Sequence, residues 1–202
     1  MAERVVIPAP VATAVAYLAA GEKTQIGRAH GLLQDAVLGR QGCLRTDMPL
    51  KVAWAESAWS EFVALLGHEN NHVRSIAGQV LSNLAQSVHS DTALQDLPKV
   101  VGATRDEMFV TARHILQAVW KYALEREDVR NALLIELTRR FVDSSPEKNS
   151  TLIRFDIVTG LHRLYDRTGY PAVMQTARQL ISLEHDAKYR KKYARVWREN
   201  FD

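Results

Sequence analysis

Residues 70–88, NNHVRSIAGQVLSNLAQSV, decide how this 202-residue chain is read. Val73, Ile76, Ala77, Val80, Leu81, Leu84, Ala85 and Val88 recur at three- and four-residue steps, which bring side chains onto one side of an α-helix. A half-buried strand would need alternation, and the stretch has none. Just before the stripe, Asn70 and Asn71 are residue types whose side-chain oxygen caps a helix N-terminus. Upstream, Trp54 to Leu66 places Ala55, Ala58, Trp59, Phe62, Val63 and Leu66 in the same rhythm, and Gly67 stands where that helix should stop. The unit is two helices joined by a short polar turn.

Working outward, the pattern recurs. A shorter helix is expected from Ala93 to Val101, a turn at Gly102 to Thr104, and a further stripe at Met108, Ala112, Ile115, Leu116, Val119 and Trp120. Val129 to Val142 predicts another helix, and SSPEKNS the connection after it. Ile153, Ile157, Leu161, Leu164 and Tyr165 then restart the stripe. A last pair runs from Pro171, suited to a first helical turn, to about Leu183, then from about Asp186 to Asn200. Residues 8–40 read as a degenerate pair, Val11 to Ala20 and Gln25 to Leu38. No alternating run of β-branched residues bounded by hairpin turns stands out, so the expected fold is all-α.

Aligning the second helices by their stripes makes Val73-Arg74, Met108-Phe109, Ile153-Arg154 and Tyr189-Arg190 equivalent, at intervals of 35, 45 and 36 residues. Such intervals suit arrays of helix pairs. NNHVRSIAGQVLSNLA resembles the second helix of a HEAT repeat: a polar turn, Val-Arg, an alanine three residues on, and leucines at helical spacing. LIRFDIVTGLHRL and KYRKKYARVW are weaker copies, and EMFVTARHILQAV has Phe109 at the arginine position. The resemblance implies a single HEAT-like α-solenoid domain over 1–202, of about five helical hairpins, with 1–49 the degenerate N-terminal part and 50–200 the repeats. It also implies structural roles for Arg74, Arg154 and Arg190, each pairing with an acidic residue of the turn before it: Glu69, Glu147 and Glu184 respectively.

Within that turn, residues 68–72 spell HENNH, the His-Glu-x-x-His pattern of zinc hydrolases. Zinc ligation by this pattern needs one unbroken helix, so that two imidazoles four residues apart face the metal beside the glutamate. Gly67 before it and the Asn pair inside it place His68 and His72 on different elements. Asp91 and Asp96 are the next carboxylates downstream, with Glu107 further on, and no motif supports any of the three as a third ligand. The expectation is a turn that imitates the motif, with a zinc hydrolase through His68, Glu69 and His72 as the third-ranked function.

The net charge of +3 is local in origin. Residues 187–198, AKYRKKYARVWR, hold six basic and no acidic residues, which leaves 20 basic against 23 acidic in the rest of the chain. On a helix, Tyr189, Tyr193, Val196 and Trp197 line one side and Lys188, Lys191, Lys192 and Arg195 the other, with Arg190 and Arg198 at the borders. That face reads first as a solvated end cap of the array, and alternatively as a phosphate-binding surface for DNA or RNA. Arg113, Lys121, Arg126, Arg139, Arg140, Arg163 and Arg167 are candidates to extend it, broken by Glu125, Glu127 and Asp166. Trp59, Trp120 and Trp197 fall in core registers, whereas Trp54 is expected to be exposed; His30, His114 and His162 stand isolated on helices.

The lone Cys43 permits no internal disulfide. The N-terminal apolar stretch is too short to span a bilayer, so a cytoplasmic protein is expected. No Gly-rich phosphate loop or nucleophile elbow occurs. The first expectation is therefore a non-enzymatic scaffold without cofactor that binds a protein partner along one face, and the second is a nucleic-acid-binding protein.

Overall fold

The computed structural model describes residues 5–41 and 44–198, and the side chains of all of these except residues 40, 41, 44 and 45. Cys43 lies outside the described residues. Ten α-helices account for most of the chain: α1 (Ala9–Ala20), α2 (Lys23–Val37), α3 (Ala55–Leu65), α4 (Asn71–Leu84), α5 (Thr92–Gly102), α6 (Phe109–Ala118), α7 (Glu127–Asp143), α8 (Ser150–Thr168), α9 (Pro171–Ser182) and α10 (Ala187–Val196). No helix among the described residues is long and apolar enough to cross a membrane.

Local chemistry sets the ends. Asn70 accepts a hydrogen bond from the His72 N–H, and Asp186 accepts from those of Lys188 and Tyr189; both satisfy donors that the first helical turn leaves free. Helix α1 stops at Gly21 and α8 at Gly169, with φ of 68° and 61°, a left-handed turn that only glycine adopts without strain.

The expectation of an all-α chain needs one correction. Between α2 and α3 the chain forms an antiparallel hairpin of β1 (Leu38–Gln41) and β2 (Leu44–Pro49), paired Leu38 to Pro49, Arg40 to Arg45 and Gln41 to Leu44, with a bulge between Leu38 and Arg40. Leu44, Thr46 and Met48 do alternate, but β1 is four residues long and holds no β-branched residue. Tertiary support supplies what propensity lacks: β2 packs on α4.

Contacts sort the helices into two rows. Each odd-numbered helix touches the next odd one, from α1 to α9, and each even-numbered helix touches the next even one, from α2 to α10. Within pairs, α1 packs on α2 and α3 on α4, as the stripe in residues 70–88 requires. One continuous apolar core runs between the rows from Val11 to Trp197. Trp59, Trp120 and Trp197 are buried in it; so is Trp54, at 7% exposure, against the expectation for that residue. Trp59 meets Tyr122 edge-on at 5.9 Å, its Nε1–H donates to Asp96, and the Tyr122 hydroxyl donates to the Ala93 carbonyl at 2.6 Å.

Arg74 and Arg154 pair forward along the chain, which corrects their expected partners. Arg74 donates to Asp106, in the turn before α6, and to the backbone carbonyls of His68 and Glu69. Arg154 pairs with Glu184, in the turn before α10, and Glu147 is taken instead by Arg140. Arg190 reaches the Glu184 carbonyl at 3.4 Å. Arg74 and Arg190 thus tie to their own turns through main-chain oxygens, Arg154 reaches the Phe141 carbonyl near the end of α7 and Ser144 Oγ, and in Arg74 and Arg154 the carboxylate comes from a later turn.

Candidate functional site

Charge follows the two rows. The five even-numbered helices carry twelve Lys or Arg and three Asp or Glu, whereas the five odd-numbered helices carry five and seven. Histidine sorts the same way, with one each on α2, α4, α6 and α8 and none on an odd-numbered helix.

Three of those histidines share a groove. His30 from α2, His72 from α4 and His114 from α6 line a concavity of about 610 Å3 together with Lys23, Ser75 and Gln79, over a floor that includes Ile26 and Ile76. They are far apart in sequence, but each stands on the outward side of an even-numbered helix, so packing α2, α4 and α6 in file brings them together. Ser75 Oγ and His114 Nδ1 share a hydrogen bond at 3.2 Å, and Gln79 Nε2 donates to Ser75 Oγ at the same distance.

His68 is absent from that groove. It lies in the turn between α3 and α4, where its Nδ1 accepts the Asn70 N–H at 3.0 Å and its ring packs against Gly21 at the end of α1. His72 sits exposed in the first turn of α4. The two imidazoles therefore do not share a helix face, and no cluster of three metal-ligating side chains occurs among the described residues. The three carboxylates weighed as a further ligand are engaged elsewhere: Asp91 with Arg126, Asp96 with Trp59 and Lys99, Glu107 with Arg74.

A second cavity, of about 250 Å3, continues the groove and shares His30, Ile76 and Gln79 with it. Gln34 from α2, Asn83 at the end of α4, Asp47 and Thr46 from β2, and Lys121 from the 3-10 turn after α6 complete its polar lining. Lys121 is 8% exposed, and burial pushes its ammonium down to about 8 against the opposing pull of the Asp47 charge. Sequence reading placed Lys121 among residues extending a surface stripe; the structure puts it inside. The signal was a single lysine between Trp120 and Tyr122 in an otherwise apolar run.

At the far end of the even row, α10 buries Tyr193 and Trp197, half-buries Tyr189 and Val196, and leaves Lys188, Arg190, Lys191, Lys192, Arg195 and Arg198 exposed. Trp197 Nε1 donates to the Val158 carbonyl at 3.3 Å, and the Tyr193 hydroxyl to that of Thr151 at 2.8 Å. These contacts hold the basic side outward. Of the residues expected to extend the stripe, Arg140 is fully buried and Arg139 belongs to α7 in the odd row, while Arg113 is neutralised by Asp156 at 2.6 Å. No protein-family model, curated protein or solved structure matches the chain.

Proposed function

We propose that the chain is a HEAT-like stack of helix pairs that works without catalysis, by binding an acidic macromolecule along its even-numbered helices, and that a nucleic acid backbone is the best-fitting ligand. The sorting of charge between the rows carries this reading. Cations held on one face of a packed array meet phosphates at many points, which gives sequence-independent, salt-sensitive association. The forward-pairing arginines and the file of even-numbered helices support the array, and the outward lysines of α10 make its end the most basic part of the face.

An acidic protein segment is the second reading. The groove at His30, His72 and His114 favours it, because the apolar floor of Ile26 and Ile76 suits a side chain better than a phosphate. Retention on immobilised DNA and RNA tests the first reading, with the parent compared with a variant carrying Lys191→Glu, Lys192→Glu and Arg195→Glu. The parent should be retained at low salt and the variant should elute in the flow-through. Equal retention of the two proteins would move the phosphate contact away from α10, and a parent that is not retained at low salt would remove nucleic acid as the ligand.

A further inference from the structure

We propose that the 250 Å3 cavity between α2, α4, β2 and the turn after α6 is a binding site for a small monocarboxylate that also carries a hydroxyl or amino group, with Lys121 holding the carboxylate and Asn83 the donor. The inference is independent of the macromolecular reading, since it concerns groups inside the fold.

Two polar atoms of this lining, Lys121 Nζ and Asn83 Oδ1, have no hydrogen-bonding partner among the described residues. Lys121 is more than nine-tenths buried; its ammonium nitrogen lies 5.8 Å from the ring centroid of Trp120, and it forms no ion pair among the described residues. A buried ammonium is costly unless an anion or acceptors satisfy it. Asn83 is equally buried: its Nδ2 donates to the Gln79 carbonyl at 2.9 Å, and its Oδ1 has no donor. An occupant that satisfies both brings an anionic acceptor for one and an N–H or O–H for the other.

The remaining lining narrows the class. The carboxylate of Asp47 faces the same cavity and acts against a dianion, so a singly charged or zwitterionic molecule is favoured over phosphate. Apolar walls from Val37, Leu38, Val80 and Ala118 allow a short carbon skeleton. The volume lies below the roughly 300–1,000 Å3 common for drug-sized ligands, which restricts the occupant to a small metabolite.

Thermal unfolding with L-lactate, L-serine, acetate and inorganic phosphate as probes tests the site. L-lactate or L-serine, several-fold above its dissociation constant, should raise the midpoint by about 2–4 °C, acetate less and phosphate least. In Lys121→Met, a substitution of similar length that removes the charge, the shift should vanish. If that variant does not fold, the 13C signal of reductively methylated Lys121 in the parent reads binding directly and should move on adding the hydroxy or amino acid. A shift with phosphate alone, an undiminished shift in Lys121→Met, or no response from any probe overturns the proposal.

Discussion

Arg74 Nε and Nη2 donate to the two carboxylate oxygens of Asp106 at 2.6 and 2.9 Å, while Nη1 of the same guanidinium donates to the carbonyls of His68 and Glu69. One side chain thus clamps the turn before α4 to the turn before α6. Burial alone would raise the Asp106 carboxyl, but hydrogen bonds from Arg74 and the Met108 N–H outweigh it and hold the carboxyl below its usual range.

Asp106→Ala should therefore cost about 2–4 kcal/mol in denaturant unfolding, because it leaves a largely buried guanidinium short of its carboxylate. Arg74→Ala and the double variant should lie close to the same value, since the two residues act as one unit. The pH dependence has a definite sign. A carboxyl whose folded pKa is depressed contributes stability above its unfolded pKa, near 3.8, that is lost as pH falls through the folded value. Acid titration of Asp106→Asn should accordingly show a shallower loss below about pH 4 than the parent.

Gly78 of α4 faces the side chain of Ile115 on α6 with no room for a Cβ. A Cβ there would lie 2.7 Å from Ile115 Cγ1 and 2.9 Å from Cδ1. In an open helix, Gly→Ala stabilises by roughly 0.5–1 kcal/mol, but here overpacking should reverse the sign and cost about 1–3 kcal/mol. In an Ile115→Ala background the same substitution should become neutral or stabilising. Chemical denaturation of the four proteins in this cycle measures the reversal.

Lys121 predicts an alkaline signature. Its folded pKa of about 8 lies below the unfolded value of 10.5, so between these the unfolded chain binds more protons and folding stability rises with pH. Below pH 8 the charged amine is a burden, and Lys121→Met should be the more stable protein by about 2–3 kcal/mol. That advantage should shrink as pH is raised from 8 to 10.5. A constant difference across the window would mean that the amine is not desolvated in the folded state.

The helices and the core tryptophans other than Trp54 were legible because apolar spacing reports burial directly, and the turn at residues 67–71 because glycine and asparagine have few other uses there. What stayed hidden depends on distance in space. The hairpin at Leu38–Pro49 is stabilised by packing on α4, which no local pattern reveals. The forward pairing of Arg74 and Arg154 was concealed because Asp106 and Glu184 lie about thirty residues away, and nearer acids offered a plausible local answer. His30, His72 and His114 carry no shared motif; only the stacking of three helices joins them.

His72→Ala bears on the metal question. Exposed in the first turn of α4 and separated from His68 by the cap at Asn70, His72 should be replaceable with a change in stability within about 0.5 kcal/mol. Zinc in the purified parent, measured by elemental analysis, should sit at background and be unchanged in the variant. Near-stoichiometric zinc that disappears in His72→Ala would revive a hydrolase built on the imitation motif.

The last prediction concerns how nucleic acid affinity responds to salt. Each phosphate neutralised on duplex DNA contributes about −0.9 to the slope of log affinity against log salt concentration. Lys188, Lys191, Lys192 and Arg195 lie together on the exposed side of α10, whereas Arg74, Arg113 and Arg154 are already committed to Asp106, Asp156 and Glu184. The committed arginines should contribute little, and α10 most of the slope. Replacing Lys191, Lys192 and Arg195 by alanine should lower the slope's magnitude by about 2–3, whereas Arg113→Ala should leave it within about 0.5 of the parent. Equal slopes for the parent and the triple variant would place any phosphate contact away from α10, and a large effect of Arg113→Ala would mean that its pairing with Asp156 opens on binding.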